Sequence, residues 1–175
     1  MSSKSYAVRR ANLEDALPLA AFAMRTFIDT YQDHNTPEDM EQYLAEHLTL
    51  ACHKKALARE DTLFLLMHMA DELCGYARMN LEKPTVTLPV SPCLELERFY
   101  IDKPFHGEGL ASPLMAACGD EARSLGFRGI WLGVWSENRR ARRFYEKMGF
   151  GDVGEKSFML GKDLQVDRVL LWDLE

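Results

Sequence analysis

Hydrophobic positions along the chain repeat with two different periods, which predicts a mixture of helices and strands. Apolar residues from Leu17 to Tyr31 recur at the spacing of one helical face. We expect this helix to begin at Asp15, which would cap it and leave Pro18 in the first turn. Thr36-Pro37 is a second start signal, followed by an apolar stripe from Met40 to Leu48. The segment 54–59 is expected to extend the helical region.

The remaining chain alternates between strand patterns and helical patterns, separated by turn residues. The expected strands are 5–10, 62–69, 73–81, 93–101, 129–135, 158–160 and 166–174. The expected helices are 109–125 and 138–148, and the proline-containing segment 83–92 is expected to be a loop. This order predicts one α/β domain over residues 1–175, with a central mixed sheet flanked by helices.

Composition narrows the class of protein. The 175 residues suffice for one domain, and the net charge of −6 disfavours a general nucleic-acid binder. No apolar run reaches the ~20 residues of a membrane span, and the first residues carry no export signal. The four cysteines and the histidines lack metal-ligand spacing, so we expect reduced core thiols, no metal and a cytoplasmic location. The oligomeric state stays open, a homodimer included.

The segment His106-Gly107-Glu108-Gly109-Leu110-Ala111 joins a predicted strand to a predicted helix. Glycine permits positive φ and close approach of a ligand to the backbone, and the free N–H groups of a helix N-terminus bind anions. A plain strand-to-helix turn would have the same local sequence. A Rossmann turn is disfavoured because position 112 is serine, and a Walker loop because no Gly-Lys-Ser/Thr follows.

Two motifs in the second half of the chain resemble those of the Gcn5-related N-acetyltransferases (GNAT). His106-x-x-Gly109-x-Ala111 is similar to their acyl-CoA loop, Gln/Arg-x-x-Gly-x-Gly/Ala, with His106 as a departure, and the stretch 138–150 is similar to their second signature. The resemblance covers nearly the whole chain and implies acetyl-CoA as co-substrate. It implies cofactor contacts from Phe99, Tyr100, Ile101, His106, Gly107, Glu108, Gly109, Leu110, Ala111, Ser112, Asn138 and Lys147. Asn138 could equally cap its helix.

The same resemblance implies candidate catalytic residues. Tyr145 matches the tyrosine that protonates the departing thiolate, and Glu95 matches a position that often holds the base that deprotonates the amine through water. Glu97 is the other candidate base, since alternation places both carboxylates on the strand face opposite Leu96. A salt-bridged or solvated carboxylate is the alternative for either glutamate.

Several stretches outside the cofactor motifs resemble the bacterial PaiA-type polyamine N-acetyltransferases. These are 26–31, 35–38, 43–44, 130–135 and the tail that contains Gln165-x-Asp167. The segment 26–53 also lacks Lys and Arg and carries six acidic residues, which suits a polycation. We therefore expect Asp29, Tyr31 and Asp33 to contact a polyamine such as spermidine or spermine. The alternatives are a protein N-terminus, a lysine or another small amine as acceptor, and a non-catalytic CoA-binding module.

Overall fold

The computed structural model describes residues 5–175, which form a seven-stranded mixed sheet with helices on both faces. The strands are β1 (Tyr6–Arg10), β2 (Thr62–Met69), β3 (Glu72–Asn80), β4 (Cys93–Ile101), β5 (Gly129–Trp135), β6 (Gly151–Leu160) and β7 (Asp163–Asp173). The helices are α1 (Ala16–Tyr31), α2 (Pro37–His47), α3 (Leu50–Leu57), α4 (Ala111–Ser124) and α5 (Arg139–Lys147). The strand order is β1-β2-β3-β4-β5-β7-β6, and this architecture confirms the predicted fold class.

The sheet has a hydrophobic core on each face because neighbouring residues of a strand point to opposite sides. On β2, Leu65 and Met67 belong to the core that includes α4 and α5, whereas Phe64 and Leu66 belong to the core that includes α1, α2 and α3. The sheet thus separates two compartments. We call them the α4 side and the α1 side.

The first helix begins where it was predicted to begin, with Asp15 at the N-cap position and Pro18 in the first turn, but the predicted side-chain cap is absent. Asp15 makes no side-chain cap to α1. Its carboxylate instead accepts hydrogen bonds from the Arg9 guanidinium at 2.7 and 2.8 Å and from the Asn12 backbone N–H. Asn12 caps the short 3-10 turn that precedes α1. The charge-assisted pair with Arg9 outcompetes local capping because two guanidinium donors bind both carboxylate oxygens.

The other differences concern element length. The third helix covers Leu50–Leu57 rather than 54–59, with Thr49 as its N-cap. The last two strands are longer than predicted, since β6 begins at Gly151 and β7 at Asp163. β6 pairs with β7 along nearly its full length, so long-range pairing overrides the weak strand pattern of its polar residues.

Two irregularities of β4 shape the centre of the molecule. Its parallel pairing with β5 stops at the pair Glu95 and Trp131, although both strands continue, so the two strands part beyond this point. Its register with β3 also shifts, because Arg78 pairs with Arg98 and Met79 pairs with Leu96. Glu97 is therefore the extra residue of a β-bulge, and the side-chain alternation of β4 is offset after it.

No helix within residues 5–175 is long and apolar enough to cross a membrane. Cys74, Cys93 and Cys118 are buried free thiols, and Cys52 is a partly exposed one.

Candidate functional site

A cleft of about 610 Å³ opens where β4 and β5 part. Its walls are the end of β4, the glycine turn, the start of α4, one face of α5 and the second half of α1. Most of the predicted cofactor contacts line it, namely Phe99, Tyr100, Ile101, His106, Gly107, Gly109, Leu110, Ala111, Ser112 and Asn138. Glu108 and Lys147 are exposed residues that do not line the cleft, which is a difference from the expected set.

The glycine turn has the geometry of an anion cradle. Gly107 and Gly109 have φ of +86° and +76°, in the left-handed region that glycine adopts without a steric penalty. A Cβ built on either residue would meet no atom within 4 Å, so open space lies over the backbone. The first N–H groups of α4, a helix of 14 residues, have no intrahelical acceptor and carry the positive end of its dipole. These residues therefore fit the pyrophosphate of a nucleotide cofactor.

The turn is held in place by contacts on both sides. His106 donates its Nε2 hydrogen to the carbonyl of Ile101 at 2.7 Å, so this nitrogen is bound to the backbone rather than free for a phosphate. Asp102 is buried and accepts a 2.5 Å hydrogen bond from Arg25 of α1. Its Oδ1 also accepts from the Lys103 N–H. The turn is thereby fixed to β4 and α1 before any ligand arrives.

Asn138 is the N-cap of α5, and its Oδ1 accepts the Ala141 N–H at 3.1 Å. Of the two roles considered for Asn138, the structure shows the capping one. The residue also lines the cleft, so its amide nitrogen is available on that side.

Tyr145 lies at the inner end of the cleft and is only 9 % exposed. Its ring packs edge-on against Phe99, Phe144 and Phe150 at centroid distances of 6.4, 5.4 and 5.4 Å. Burial raises the pKa of the Tyr145 hydroxyl, because the phenolate would lose its hydration. The hydroxyl therefore stays protonated at neutral pH, as a proton donor to a leaving group must.

Glu95 stands at the last paired position before β4 and β5 part, on the α1 side. Lys156 of β6 donates to its Oε1 at 3.1 Å, and the same ammonium lies 4.9 Å from the centre of the Trp131 ring. Burial raises the pKa of the Glu95 carboxyl, while the Lys156 charge opposes that rise. A carboxyl with a raised pKa is a better proton acceptor at neutral pH than a solvated one.

Glu97 differs from Glu95 in its partner and its surroundings. Its Oε2 lies 3.1 Å from Nε of Arg78, an ion pair without the alignment of a hydrogen bond. It is more exposed than Glu95 and faces a polar cavity toward α3. The two glutamates share the α1 side of β4, but only Glu95 lies where the strands part.

A second, smaller cavity of about 70 Å³ continues from Glu95 into the α1 side, and we call it the inner cavity. Aromatic side chains of α1, α2, β4, β5 and β6 form much of its wall. Its polar lining comprises Glu95, Glu97, Arg98, Lys156, Gln165 and Asp167. Tyr100 lines both this cavity and the cleft, so the two spaces adjoin across one side chain.

The three predicted substrate contacts are not brought together. Asp29 is exposed and lines the cleft, whereas Tyr31 lines the inner cavity, where burial raises its pKa to about 12. Asp33 is exposed in the 3-10 turn after α1 and lines neither space.

Five charged residues that line the two spaces were not among the predicted site residues. Lys103 and Arg140 line the cleft, where two cations suit a phosphate-bearing ligand. Arg98 faces the inner cavity because the bulge at Glu97 offsets the alternation. Lys156 and Asp167 come from β6 and β7. A signal for Asp167 exists in the sequence, since Gln165 and Asp167 alternate with apolar residues on β7.

Within residues 5–175, no group of three or more His, Cys, Asp or Glu is arranged to hold a metal ion. The polar groups of the site are thus carboxylates, ammonium and guanidinium groups, a tyrosine hydroxyl and backbone N–H groups. These suit proton transfer and anion binding.

Comparison with known proteins agrees with this geometry. Residues 21–150 match the acetyltransferase (GNAT) family. An uncharacterized N-acetyltransferase of Lactobacillus delbrueckii subsp. lactis is 29% identical over 157 residues, covering 90% of this chain and 91% of the relative. An uncharacterized N-acetyltransferase of Mycobacterium bovis is 30% identical over 162 residues, covering 93% and 99%.

Solved structures share the fold at lower identity. The PaiA N-acetyltransferase from Thermoplasma acidophilum, crystallised in complex with coenzyme A, superposes with a TM-score of 0.78 at 19% identity, covering 97% of this chain and 99% of that one. A GCN5-related N-acetyltransferase from Rhodopseudomonas palustris gives 0.75 at 16% identity, covering 99% and 98%. The cradle, the buried tyrosine and the parted strands therefore occur in a chain that belongs to the acetyltransferase (GNAT) family.

Proposed function

We propose that this acetyl-CoA-dependent N-acetyltransferase acetylates a primary amine of a polyamine such as spermidine or spermine. The carrying observation is the ammonium group of Lys156, which Glu95 and Trp131 hold beside the parted strands. A pocket that already accommodates one ammonium has the carboxylate and aromatic contacts that a substrate ammonium requires. The acidic, Lys/Arg-free segment 26–53 and the PaiA-like stretches support the same acceptor.

Acetyl-CoA would bind in the cleft. Its pyrophosphate would be bound by the N–H groups from Gly107 to Ser112 and by the cations Lys103 and Arg140 at the rim. Backbone groups of Phe99 to Ile101, which have no partner strand on the β5 side, would pair with the pantetheine arm. The coenzyme A bound to the Thermoplasma acidophilum PaiA structure supports this assignment.

The reaction would be direct attack of the amine on the thioester in a ternary complex. An alkylammonium with a pKa of ~10.4 must lose a proton first, at a cost of about 4–5 kcal/mol at pH 7. Glu95 would accept that proton through water, its pKa raised by burial. As the C–N bond forms and the C–S bond breaks, Tyr145 would protonate the thiolate, and β4 N–H groups would stabilise the carbonyl oxygen.

A panel of acceptors tests the proposal. Release of CoA from acetyl-CoA would be measured with spermidine, spermine, a monoamine, free lysine, and peptides with a free N-terminus or an internal lysine. Spermidine- or spermine-dependent turnover that exceeds turnover on the peptides is the expected result. Turnover on a peptide without turnover on any polyamine would overturn the polyamine assignment. Binding of acetyl-CoA without turnover on any acceptor would indicate a non-catalytic module instead.

A further inference from the structure

On strand β7 beside the inner cavity, the polar side chains are buried and the apolar side chains are exposed. Leu164 and Val166 point outward and are 62% and 46% exposed, whereas Gln165 and Asp167 point inward and are 8% and 6% exposed. Burying an amide and a carboxyl while exposing two aliphatic side chains is unfavourable for stability. The arrangement therefore needs a reason other than folding.

The Gln165 amide presents an acceptor oxygen without a partner. Its Nε2 donates at 2.8 Å both to Asn35 Oδ1 and to Asp163 Oδ2. Because both of those oxygens can only accept, they fix which end of the amide carries the nitrogen. The opposite atom, Oε1, is buried and has no hydrogen-bond partner within residues 5–175.

Asp167 presents a second such oxygen. Among the described residues its Oδ1 is buried without a hydrogen-bond partner, and burial raises the pKa of its carboxyl to about 6. Its other oxygen, Oδ2, lies 3.0 Å from the point that a Cβ on Gly133 would occupy, and Lys156 Nζ lies 3.2 Å from the same point. Glycine at 133 thus leaves room for the carboxyl and the ammonium over β5.

The three carboxylates that line the inner cavity differ in their ion-pair partners. Glu95 pairs with Lys156, and Glu97 pairs with Arg78. Arg98 also lines the cavity and donates a hydrogen bond to the Tyr43 hydroxyl. Within residues 5–175, Asp167 has no ion-pair partner within 4 Å, and the acceptor oxygens of Gln165 and Asp167 lack donors. A cavity of about 70 Å³ is larger than the ~10–15 Å³ that one water requires, so it has room for a small cationic head group.

We infer that Asp167 and Gln165 form a subsite for a second ammonium of the acceptor, the one that is not acetylated. The inference rests on the proposed function and deepens it, because it assigns the residues that would select diamines and polyamines over monoamines. An ammonium supplies three donors and one positive charge, which matches the two unpaired oxygens and the Asp167 carboxylate that has no ion pair within residues 5–175.

The experiment compares kcat/KM for spermidine, 1,4-diaminobutane and butylamine in the wild type, Asp167→Asn and Asp173→Asn. Asp173 is an exposed carboxylate at the far end of β7, so its variant controls for the change in net charge. We expect Asp167→Asn to lower kcat/KM for spermidine and for 1,4-diaminobutane by about tenfold or more, and to leave kcat/KM for butylamine unchanged. Asp173→Asn should change none of the three values. Gln165→Met, which removes the second acceptor, should also lower kcat/KM for spermidine and 1,4-diaminobutane. This variant provides the test if Asp167→Asn does not fold.

A pH series adds a readout that a structural role would not move. The KM for spermidine in the wild type should rise as the pH falls below about 6, where Asp167 becomes protonated, and this rise should be reduced in Asp167→Asn. Equal losses on butylamine and spermidine, or no loss on spermidine, would overturn the subsite.

Failure of the proposed function is recognised separately. If the wild type turns over no polyamine, binding of spermidine to the CoA-loaded protein would be measured by calorimetry. If spermidine binds to the wild type and binds more weakly to Asp167→Asn, the proposed subsite stands and the proposed polyamine acetylation is wrong. Absence of binding would overturn the subsite as well.

Discussion

The ammonium of Lys156 lies 3.1 Å from the carboxylate of Glu95, at the position where β4 and β5 part. The two residues are 61 positions apart along the chain. The candidate base is therefore coupled to an ammonium group from a distant strand. Because that cation lowers the pKa of Glu95 while burial raises it, the protonation of Glu95 depends on both.

Glu95→Gln should lower kcat by about 10²–10⁴-fold and leave the KM for acetyl-CoA nearly unchanged, because the amide cannot accept the proton of the amine. Glu97→Gln is the matched variant on the same strand face, and we expect a smaller effect since Glu97 pairs with Arg78 away from the parted strands. Steady-state kinetics with both substrates would check this. A larger loss in Glu97→Gln would transfer the role of base to Glu97.

Lys156→Met should shift the acidic limb of the kcat/KM profile to higher pH. Removing the ammonium leaves burial unopposed, so the pKa of Glu95 rises and the ionised base is lost at a higher pH. Lys162→Met, on the exposed turn between β6 and β7, is the control for loss of one charge. If the acidic limb of the kcat/KM profile does not shift in Lys156→Met, that limb reflects the ionisation of a group other than Glu95.

Tyr145→Phe should lower kcat by about 10²-fold or more, with acetyl-CoA affinity nearly intact. The ring packing against Phe99, Phe144 and Phe150 survives the change, and only the buried hydroxyl is removed. Equilibrium binding of acetyl-CoA and turnover would be measured side by side. Tyr6→Phe, on β1 at the sheet edge, is the control, and unchanged turnover in Tyr145→Phe would exclude the tyrosine as the acid.

Gly109→Ala and Gly126→Ala form a matched pair. Both glycines have positive φ, +76° and +83°, and a Cβ on either would meet no atom within 4 Å. Each substitution should cost about 1–2 kcal/mol of the free energy of unfolding through backbone strain alone. Only Gly109→Ala should also raise the KM for acetyl-CoA, because only Gly109 lines the cleft. Equal KM values in the two variants would contradict the phosphate cradle.

Asp167→Asn should stabilise the fold at neutral pH. The folded-state pKa of about 6 lies above the ordinary value of 3.8, so the free energy of unfolding falls as the pH rises through this window. The neutral amide avoids that loss. We therefore expect the free energy of unfolding of Asp167→Asn to exceed that of the wild type by about 1–3 kcal/mol above pH 7, and the difference to disappear below pH ~4. Denaturant unfolding at several pH values would measure it. A constant difference across pH would mean that Asp167 is not buried as a carboxyl.

The sequence alone predicted most of the residues that line the cleft, although it missed Lys103 and Arg140. The spacing of Gly107 and Gly109 before a helix predicts the cradle, because positive φ and free helix N–H groups are local properties of a few consecutive residues. The bounds of the strands Cys93–Ile101 and Gly129–Trp135 were also predicted correctly, since the first alternates apolar and charged residues at its start and the second is a strongly apolar run.

Tertiary structure decided the acceptor side. The bulge at Glu97 turns Arg98 toward the inner cavity, and it depends on the register with β3 rather than on β4 itself. Lys156 and Asp167 reach the inner cavity beside Glu95 because β7 inserts between β5 and β6, which pairs the last strand of the chain with β5. Pairing between distant segments follows from packing of the whole domain, so local periodicity could predict that β6 and β7 exist but not which residues they deliver to the site.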